Sequence, residues 1–146
     1  MGAWGGAMST AGYGEIHRVP IKRRPRFANG KAYVDKATKS DEAAIRAAYA
    51  GPKFDGPVGV RIHVFKPLKS VKPDEWHPFI EKPDADNIAK AVLDGLNGVA
   101  YQDDGQVTEL KVLKHDRGYE EPDATEPWCI FVVYEIKDTE GRQYHV

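Results

Sequence analysis

Apolar residues along this chain follow two spacings, and the first of them predicts strands. In PVGVRIHVFK (57–66) every second residue is apolar and β-branched, which is typical of a strand with one buried face. These residues are Val58, Val60, Ile62 and Val64. The runs QVTELKVLKHD (106–116) and WCIFVVYEIK (128–137) are also predicted to be strands. The short, proline-containing segment between these two runs favours an antiparallel relation.

The second spacing, of three and four residues, predicts two helices. TKSD (38–41) matches a capping box ahead of the alanine-rich EAAIRAAYA (42–50), and the Gly-Pro pair at 51–52 would end that helix. The other helix begins after Asp86 or Asn87, either of which is a good N-cap. Its apolar face consists of Ile88, Ala91, Val92, Gly95 and Leu96.

The amino-terminal part completes the predicted order of elements. EIHRVPI (15–21) and KAYV (31–34) are expected to be short strands, joined by a basic loop with a turn at Asn29-Gly30. The resulting order, ββαβαββ, predicts an α+β fold in which a mixed β-sheet of about four to five strands carries two helices on one side. Residues 1–14 are glycine-rich and are expected to form a flexible tail, and residues 15–146 a single domain.

The composition excludes a membrane role and points to a reducing compartment. The chain is 41% hydrophobic and 29% charged, as in an ordinary globular protein. No apolar run approaches the roughly 18 residues that a spanning helix needs. The single cysteine, Cys129, lies in an apolar run and is expected to be a buried thiol. We therefore expect a cytoplasmic protein.

The charges are unevenly distributed, although the net charge is only -1. Residues 15–39 contain eight Lys or Arg and two acids, whereas residues 81–104 contain six acids and two bases. This separation is what a protein needs if it grips a polyanion and holds cations beside it. Two solvated faces would give the same pattern.

The acidic segment contains two pairs of aspartates. Pro83 disfavours helix before it, so the chain is extended there, and Asp84 and Asp86 share a face. Lys90 follows one helical turn after Asp86, within reach of that carboxylate or of a bound phosphate. The second pair, Asp103-Asp104, precedes the strand predicted at 106–116.

Such a cluster suggests a divalent cation. Two unit charges about 4 Å apart repel by roughly 4 kcal/mol at an effective dielectric constant near 20, so gathering three carboxylates is costly without a cation. Hard oxygen ligands suit Mg²⁺ or Mn²⁺. By spacing alone, a cap for the D-x-D-N motif and a turn for the DDG motif explain the same residues equally well.

A resemblance to a known family adds to this pattern. The run KPDADNIAKAVLDGLNGVAYQDDGQV (82–107) resembles the signature of the RusA family of Holliday junction resolvases, K-P-D-x-D-N-x-x-K followed by D-x-L-N and D-D-x-Q. IKRRPRFANGKAYVDKATKS (21–40) is similar to that family's amino-terminal stretch, in which a basic, proline-containing loop leads to a tyrosine and a helix. The likeness spans most of residues 18–114. The glycine-rich tail and the long loop at 66–82 depart from the family pattern.

The resemblance implies a metal-dependent endodeoxyribonuclease that binds four-way DNA junctions as a homodimer and nicks two opposing strands. It implies Mg²⁺ as cofactor, with Mn²⁺ as a substitute, in a bacterial or phage-infected cell. It assigns the catalytic roles to Asp84, Asp86, Asp104 and Lys90. It assigns the metal to Asp84, Asp86, Asp104 and Asp103, and leaves open which member of the Asp103-Asp104 pair is the dominant ligand. DNA phosphates are expected to contact Arg18, Lys22, Arg23, Arg24 and Arg26.

Two other functions fit the same residues. One is a branched-DNA-binding protein without nuclease activity, in which the acids only cap and turn the chain. The other is a nuclease that acts on other branched or flap DNA.

Overall fold

The computed structural model describes residues 11–67, 80–116 and 126–137. It has the predicted α+β architecture, a mixed four-stranded sheet with two helices. The elements are β1 (Ala11–Ile16), β2 (Arg26–Ala28), β3 (Lys31–Tyr33), α1 (Lys36–Ala48), β4 (Val58–Lys66), α2 (Ala85–Leu96), a 3₁₀ helix (Asp104–Gln106), β5 (Val107–Asp116) and β6 (Trp128–Glu135).

The strand order in the sheet is β1-β6-β4-β5. β6 pairs antiparallel with β1 and with β4, whereas β5 pairs parallel with β4. β5 and β6 therefore run in opposite directions, as predicted, but β4 lies between them. Because α2 connects two parallel neighbours, it must run back against the direction of both strands. β2 and β3 form a separate two-stranded antiparallel hairpin.

The core lies between one face of the sheet and the two helices. The four alternating apolar residues of β4 are fully buried, as predicted. Ile45 of α1 and the apolar face of α2 belong to the same cluster. The helices approach closely at Gly95, where an added Cβ would lie 2.8 Å from the Cβ of Ile45. A glycine inside α2 thus lets α1 pack against it.

The first helix begins earlier than predicted. α1 starts at Lys36, and its N-cap is Asp35, whose side chain accepts a hydrogen bond of 2.8 Å from the Thr38 backbone N–H. Thr38, predicted to precede the helix, is fully buried inside it. Asp35 caps the helix in place of the capping box expected at 38–41. Its carboxylate already accepts a hydrogen bond from a first-turn N–H group, which has no partner within the helix. The helix ends before Gly51, as predicted.

The first strand also lies earlier than predicted, and it takes in part of the expected tail. β1 covers Ala11–Ile16, so residues 11–14 belong to the sheet and not to a flexible segment. Gly12 and Gly14 have a packing role here. A Cβ at Gly12 would lie 2.1 Å from the Tyr49 hydroxyl oxygen, and one at Gly14 would lie 2.5 Å from the Phe131 ring. Residues 1–10 lie outside the described residues.

Two further expectations concern burial and membranes. Cys129 is a buried free thiol, as predicted, and burial raises its pKa to about 12. A thiol with such a pKa is a poor nucleophile at neutral pH. In the described ranges, no helix is both long and apolar enough to cross a membrane.

Candidate active site

Asp84 and Asp86 lie at the amino-terminal end of α2. The N-cap is Asp84 and the helix begins at Ala85, so the cap lies two residues before Asp86 and three before Asn87, the two predicted caps. The Asp84 side chain makes no capping hydrogen bond. Its backbone carbonyl accepts hydrogen bonds from the N–H groups of Asn87 and Ile88. The structure therefore gives no support to a capping role for the Asp84 carboxylate.

A lysine occupies the space in front of Asp84. The Lys82 Nζ lies 2.9 Å from each carboxylate oxygen of Asp84. The Lys82 side chain is 83% exposed, so it can leave without disturbing the fold. The backbone around Lys82 is also held in place. The Glu81 carbonyl accepts a hydrogen bond from the Lys114 side chain of β5, and the Lys82 carbonyl accepts one from the Lys66 side chain of β4. These contacts fix the start of α2 beside the carboxyl ends of both strands.

Asp86 and Lys90 are exposed on the first turns of α2. Within the described residues, no ion pair joins them, although their spacing allows one. Asp94, two turns further on, has a different role. Its carboxylate lies 2.9 Å from the Lys22 Nζ, which also lies 3.1 Å from Glu42 of α1. Asp94 thus joins α2 to the segment before α1.

The two aspartates of the second pair have different surroundings. Asp103 forms a capping box with Gln106, and its carboxylate accepts a hydrogen bond of 3.0 Å from the Gly105 N–H. Asp103 thus has a structural role as the cap of this turn, and its role as a metal ligand stays a prediction. Asp104 is half-buried, and in the part of the chain that the structure describes, its carboxylate has no hydrogen-bond or ion-pair partner. Of the two, Asp104 is therefore the one whose carboxylate is not engaged by any residue that the structure describes.

Tyr101 fixes this turn against α2, a role that the sequence reasoning missed. Its side chain is fully buried, and its hydroxyl donates a hydrogen bond of 2.7 Å to the Leu93 carbonyl. Burial raises the pKa of Tyr101, and the nearby charges of Asp104, Asp94 and Asp103 raise it further. The only signal in the sequence was a large apolar residue inside a polar turn.

The two acidic pairs lie at opposite ends of α2. Asp84 precedes the helix beside the last residues of β4, whereas Asp104 precedes β5, whose first residue pairs with Val58 at the start of β4. A helix of 12 residues is about 18 Å long. Among the described residues, no group of three or more His, Cys, Asp or Glu side chains is placed to hold a metal ion. Within the described residues, the structure does not bring Asp84, Asp86 and Asp104 together in a single chain, because α2 separates the two pairs. Their catalytic roles stay predictions.

The basic segment is partly committed to the fold. Asp41, 6% exposed, lies 3.3 Å from both Arg18 and Arg23, and it accepts a hydrogen bond from the Ile21 N–H. Together with the Lys22 ion pairs, these contacts hold residues 18–23 onto α1. Three of the five residues predicted to contact DNA thus have partners within the chain, because a buried carboxylate needs cations.

Arg24 and Arg26, the remaining two residues predicted to contact DNA, are more accessible to a polyanion. Arg26 is 68% exposed, with its Nε 3.8 Å from the Asp35 carboxylate. Arg24 is exposed, and no ion pair to it is found within the described ranges. Positive charge that can reach a polyanion is therefore concentrated after residue 23. The burial of Asp41 could not be inferred from the sequence pattern.

Residues 18–124 match a family model described as endodeoxyribonuclease RusA. The uncharacterized protein YqaN of Bacillus subtilis (strain 168) is 36% identical over 118 residues. That match covers 68% of this chain and 83% of YqaN. Both acidic pairs, both helices and the β2–β3 hairpin lie inside the range that matches the family model.

Proposed function

This chain belongs to the endodeoxyribonuclease RusA family, and from that premise we propose that it is a metal-dependent nuclease that resolves four-way DNA junctions by paired nicks. One observation carries the proposal. Asp84, Asp86 and Asp104, the aspartates that match the family motif, are the acids of residues 81–104 whose carboxylates, within the described residues, neither cap a helix nor join two elements of the fold. Carboxylates that the fold does not use are available for a cofactor.

The chemistry of these side chains fits Mg²⁺ or Mn²⁺, because both ions prefer carboxylate oxygens and water. Asp84, Asp86 and Asp104 would hold the ion. The chemistry that such an ion supplies when bound is a lowered pKa for a water molecule and stabilisation of charge on a phosphate. Lys90, exposed one turn beyond Asp86, would offer its positive charge to the phosphate at which the negative charge grows. Asp103 would keep the loop before β5 in shape.

The separation of the two acidic pairs supports a homodimer. Within one chain Asp84 and Asp104 lie beyond opposite ends of α2, a helix about 18 Å long. A two-fold axis that sets two copies of α2 antiparallel would bring the start of one helix to the end of the other. Each site would then take Asp84 and Asp86 from one chain and Asp104 from its partner. Two such sites, related by two-fold symmetry, match the symmetry of a four-way junction.

Cleavage of a synthetic four-way junction tests the nuclease. Asp86→Asn is expected to abolish Mg²⁺-dependent cutting without loss of thermal stability. Glu109→Gln, which changes an exposed acid of β5, is the matched control and is expected to cut normally. Cutting by Asp86→Asn at the wild-type rate would contradict the metal site.

Mixing two inactive variants tests the shared site. In a heterodimer of Asp86→Asn and Asp104→Asn, both substitutions fall in one composite site and the other site is intact. Co-expressed, differently tagged chains should therefore nick one strand of each junction, although each homodimer is inactive. Sites built within single chains would leave the heterodimer inactive as well.

A branched-DNA-binding protein without nuclease activity is the second candidate, since Asp103 does cap and turn the chain. Thermal unfolding separates the two. Metal binding to the folded state raises the unfolding temperature in millimolar Mg²⁺, whereas acids that only cap predict no change. A panel of junction, flap and duplex DNA then defines the substrate.

A further inference from the structure

The β2–β3 hairpin presents the large apolar side chain of Phe27 to solvent. Its two strands are three residues long and meet at a turn in which Asn29 (φ 52°) and Gly30 (φ 76°) both have positive φ. Two successive residues with positive φ form a tight hairpin turn whose backbone twist matches that of the two flanking strands. Phe27 is 77% exposed, more than any other aromatic side chain in the described part of the chain.

The pairing explains why the Phe27 ring is uncovered. Phe27 lies directly opposite Ala32, so these two residues share one face of the hairpin, and Ala32 is too small to cover a ring. Arg26 and Tyr33 form the adjacent pair and occupy the other face. That face, together with Asp35 and Lys36, lines a cleft of about 350 Å³ beside the start of α1. The Phe27 face thus points away from the body of the protein.

The exposed charges of the hairpin and of the chain beside it are basic. Arg24, Lys31 and Lys36 are exposed, and no ion pair to any of them is found among the described residues. Asp35 is the only acid between residues 16 and 40, and its carboxylate is taken by the α1 cap. An exposed ring on a hairpin that also carries exposed cations is a surface suited to unpaired nucleic acid, where bases stack on aromatics and phosphates contact Lys and Arg.

We propose that Phe27 is a stacking residue that receives a base opened at the branch point of the DNA substrate, with the exposed cations Arg24 and Lys31 of the same segment contacting phosphates around the branch point. The proposal deepens the proposed function, on which it rests for the identity of the partner as branched DNA. In a continuous duplex both faces of each base are already stacked, whereas bases at a branch point can be opened at lower cost. Phe27 therefore favours branched over linear DNA.

Binding measured in EDTA, where no cutting occurs, tests this role. Phe27→Ala is expected to weaken binding to a four-way junction by roughly five- to a hundredfold, the range for loss of one aromatic–base stack. Binding to linear duplex should be unchanged. Phe27→Trp should keep junction affinity, and Leu110→Ala, which removes an exposed apolar side chain from β5, is the matched control.

A fluorescent base reports the opening of the branch point. A 2-aminopurine placed next to the base that opens loses a stacking neighbour, so it should brighten with the wild-type protein or Phe27→Trp and stay dim with Phe27→Ala. If Phe27→Ala binds and brightens the junction as the wild type does while junctions are still cut, the stacking role is wrong and the nuclease stands. If the wild type brightens the base but never cuts, the nuclease is wrong and the stacking role stands. If Phe27→Ala turns a dimer into a monomer in sedimentation, the ring belongs to an interface between two copies, and the proposal is overturned.

Discussion

The Lys82 ammonium group lies 2.9 Å from both carboxylate oxygens of Asp84, the residue that begins α2. A monovalent cation thus neutralises the exposed Asp84 carboxylate when no divalent ion is bound. Because the lysine is on the surface, its attraction is weak enough to be displaced. Lys82 is expected to compete with the metal.

Lys82→Ala should therefore bind Mn²⁺ more tightly than the wild type. Removing an exposed competitor of this kind should lower the Mn²⁺ concentration at half-maximal thermal stabilisation by roughly two- to fivefold. Thermal unfolding across a Mn²⁺ series, without DNA, measures this. Lys53→Ala removes an exposed lysine near Gln102 and should leave the Mn²⁺ dependence unchanged. Weaker Mn²⁺ binding by Lys82→Ala would show that the lysine supports the site.

The members of the Asp103-Asp104 pair should respond oppositely to substitution. Asp103→Ala removes the cap of the 3₁₀ helix and should lower the free energy of unfolding by about 1 kcal/mol, whereas Asp103→Asn keeps a good cap and should not. Asp104→Asn should leave stability intact and abolish cutting. Urea denaturation and junction cleavage, measured on all three variants, distinguish the roles. Loss of cutting by a stable Asp103→Asn would make Asp103 the ligand.

Substitutions of Lys22 and Arg24 should have different effects: the first should lower stability, and the second should weaken DNA binding. Lys22→Met leaves Glu42 and Asp94 facing each other and should lower the free energy of unfolding by about 1 to 2 kcal/mol. The Asp94 ion pair raises the pKa of Lys22, so its stabilisation is fully present below pH 10.5 and is lost only as pH rises through the raised pKa.

Arg24→Ala is the matched comparison, since Arg24 is exposed and unpaired within the described ranges. Its stability should equal that of the wild type, whereas its DNA affinity should fall and the salt dependence of binding should lose about one phosphate contact. A salt titration of junction binding measures this slope. An unchanged slope would remove Arg24 from the DNA interface.

Gly14→Ala tests the role of the glycines in β1. The new methyl group would lie 2.5 Å from the Phe131 ring and 3.0 Å from the Ala48 carbonyl oxygen. Overpacking of this kind should lower the free energy of unfolding by roughly 1 to 3 kcal/mol. Tyr13→Phe, on the exposed face of the same strand, should change it little. Equal denaturation midpoints for Gly14→Ala and the wild type would mean that residues 11–14 are not packed in the sheet.

Stability should fall on mild acidification because of His63. Burial lowers the pKa of His63 below its usual 6.5, and His115, 3.1 Å away, and the charges of Arg61 and Lys111 lower it further. The unfolded chain therefore binds a proton more readily. The stabilisation is present above pH 6.5 and is lost as pH falls through the lowered pKa. His63→Phe should flatten this part of the stability–pH curve, as measured by urea denaturation between pH 5 and 7.

The central strands could be predicted from the sequence because their apolar residues alternate with others, and this alternation reflects the burial of one face of each strand. A strand with helices on one side must alternate, and Val58 to Val64 do so. β1 could not be predicted in the same way. Its glycines are required because Tyr49 and Phe131 pack where a Cβ would lie. These two residues are distant in sequence and approach the strand only in the folded protein.

In the candidate site, too, some features could be predicted from local sequence and others depend on the tertiary fold. Spacing identified both acidic pairs, and the structure then separates Asp103, a cap, from Asp104, which is free. The distance between the pairs depends on the parallel pairing of β4 and β5, a topological fact that no local pattern contains. Likewise, the charge count revealed a basic segment but not that Asp41 holds Arg18 and Arg23.

The position of β6 has a consequence for synthesis of the protein. β6 is the inner strand that joins β1 to β4, and Ala11 pairs with Tyr134 almost at the other end of the described chain. The sheet therefore stays open until Trp128–Glu135 leaves the ribosome, and contacts so distant in sequence slow folding. Until then β4 presents a bare edge to neighbouring chains. A translational pause or premature stop before residue 128 should therefore yield aggregates, not a partly active domain.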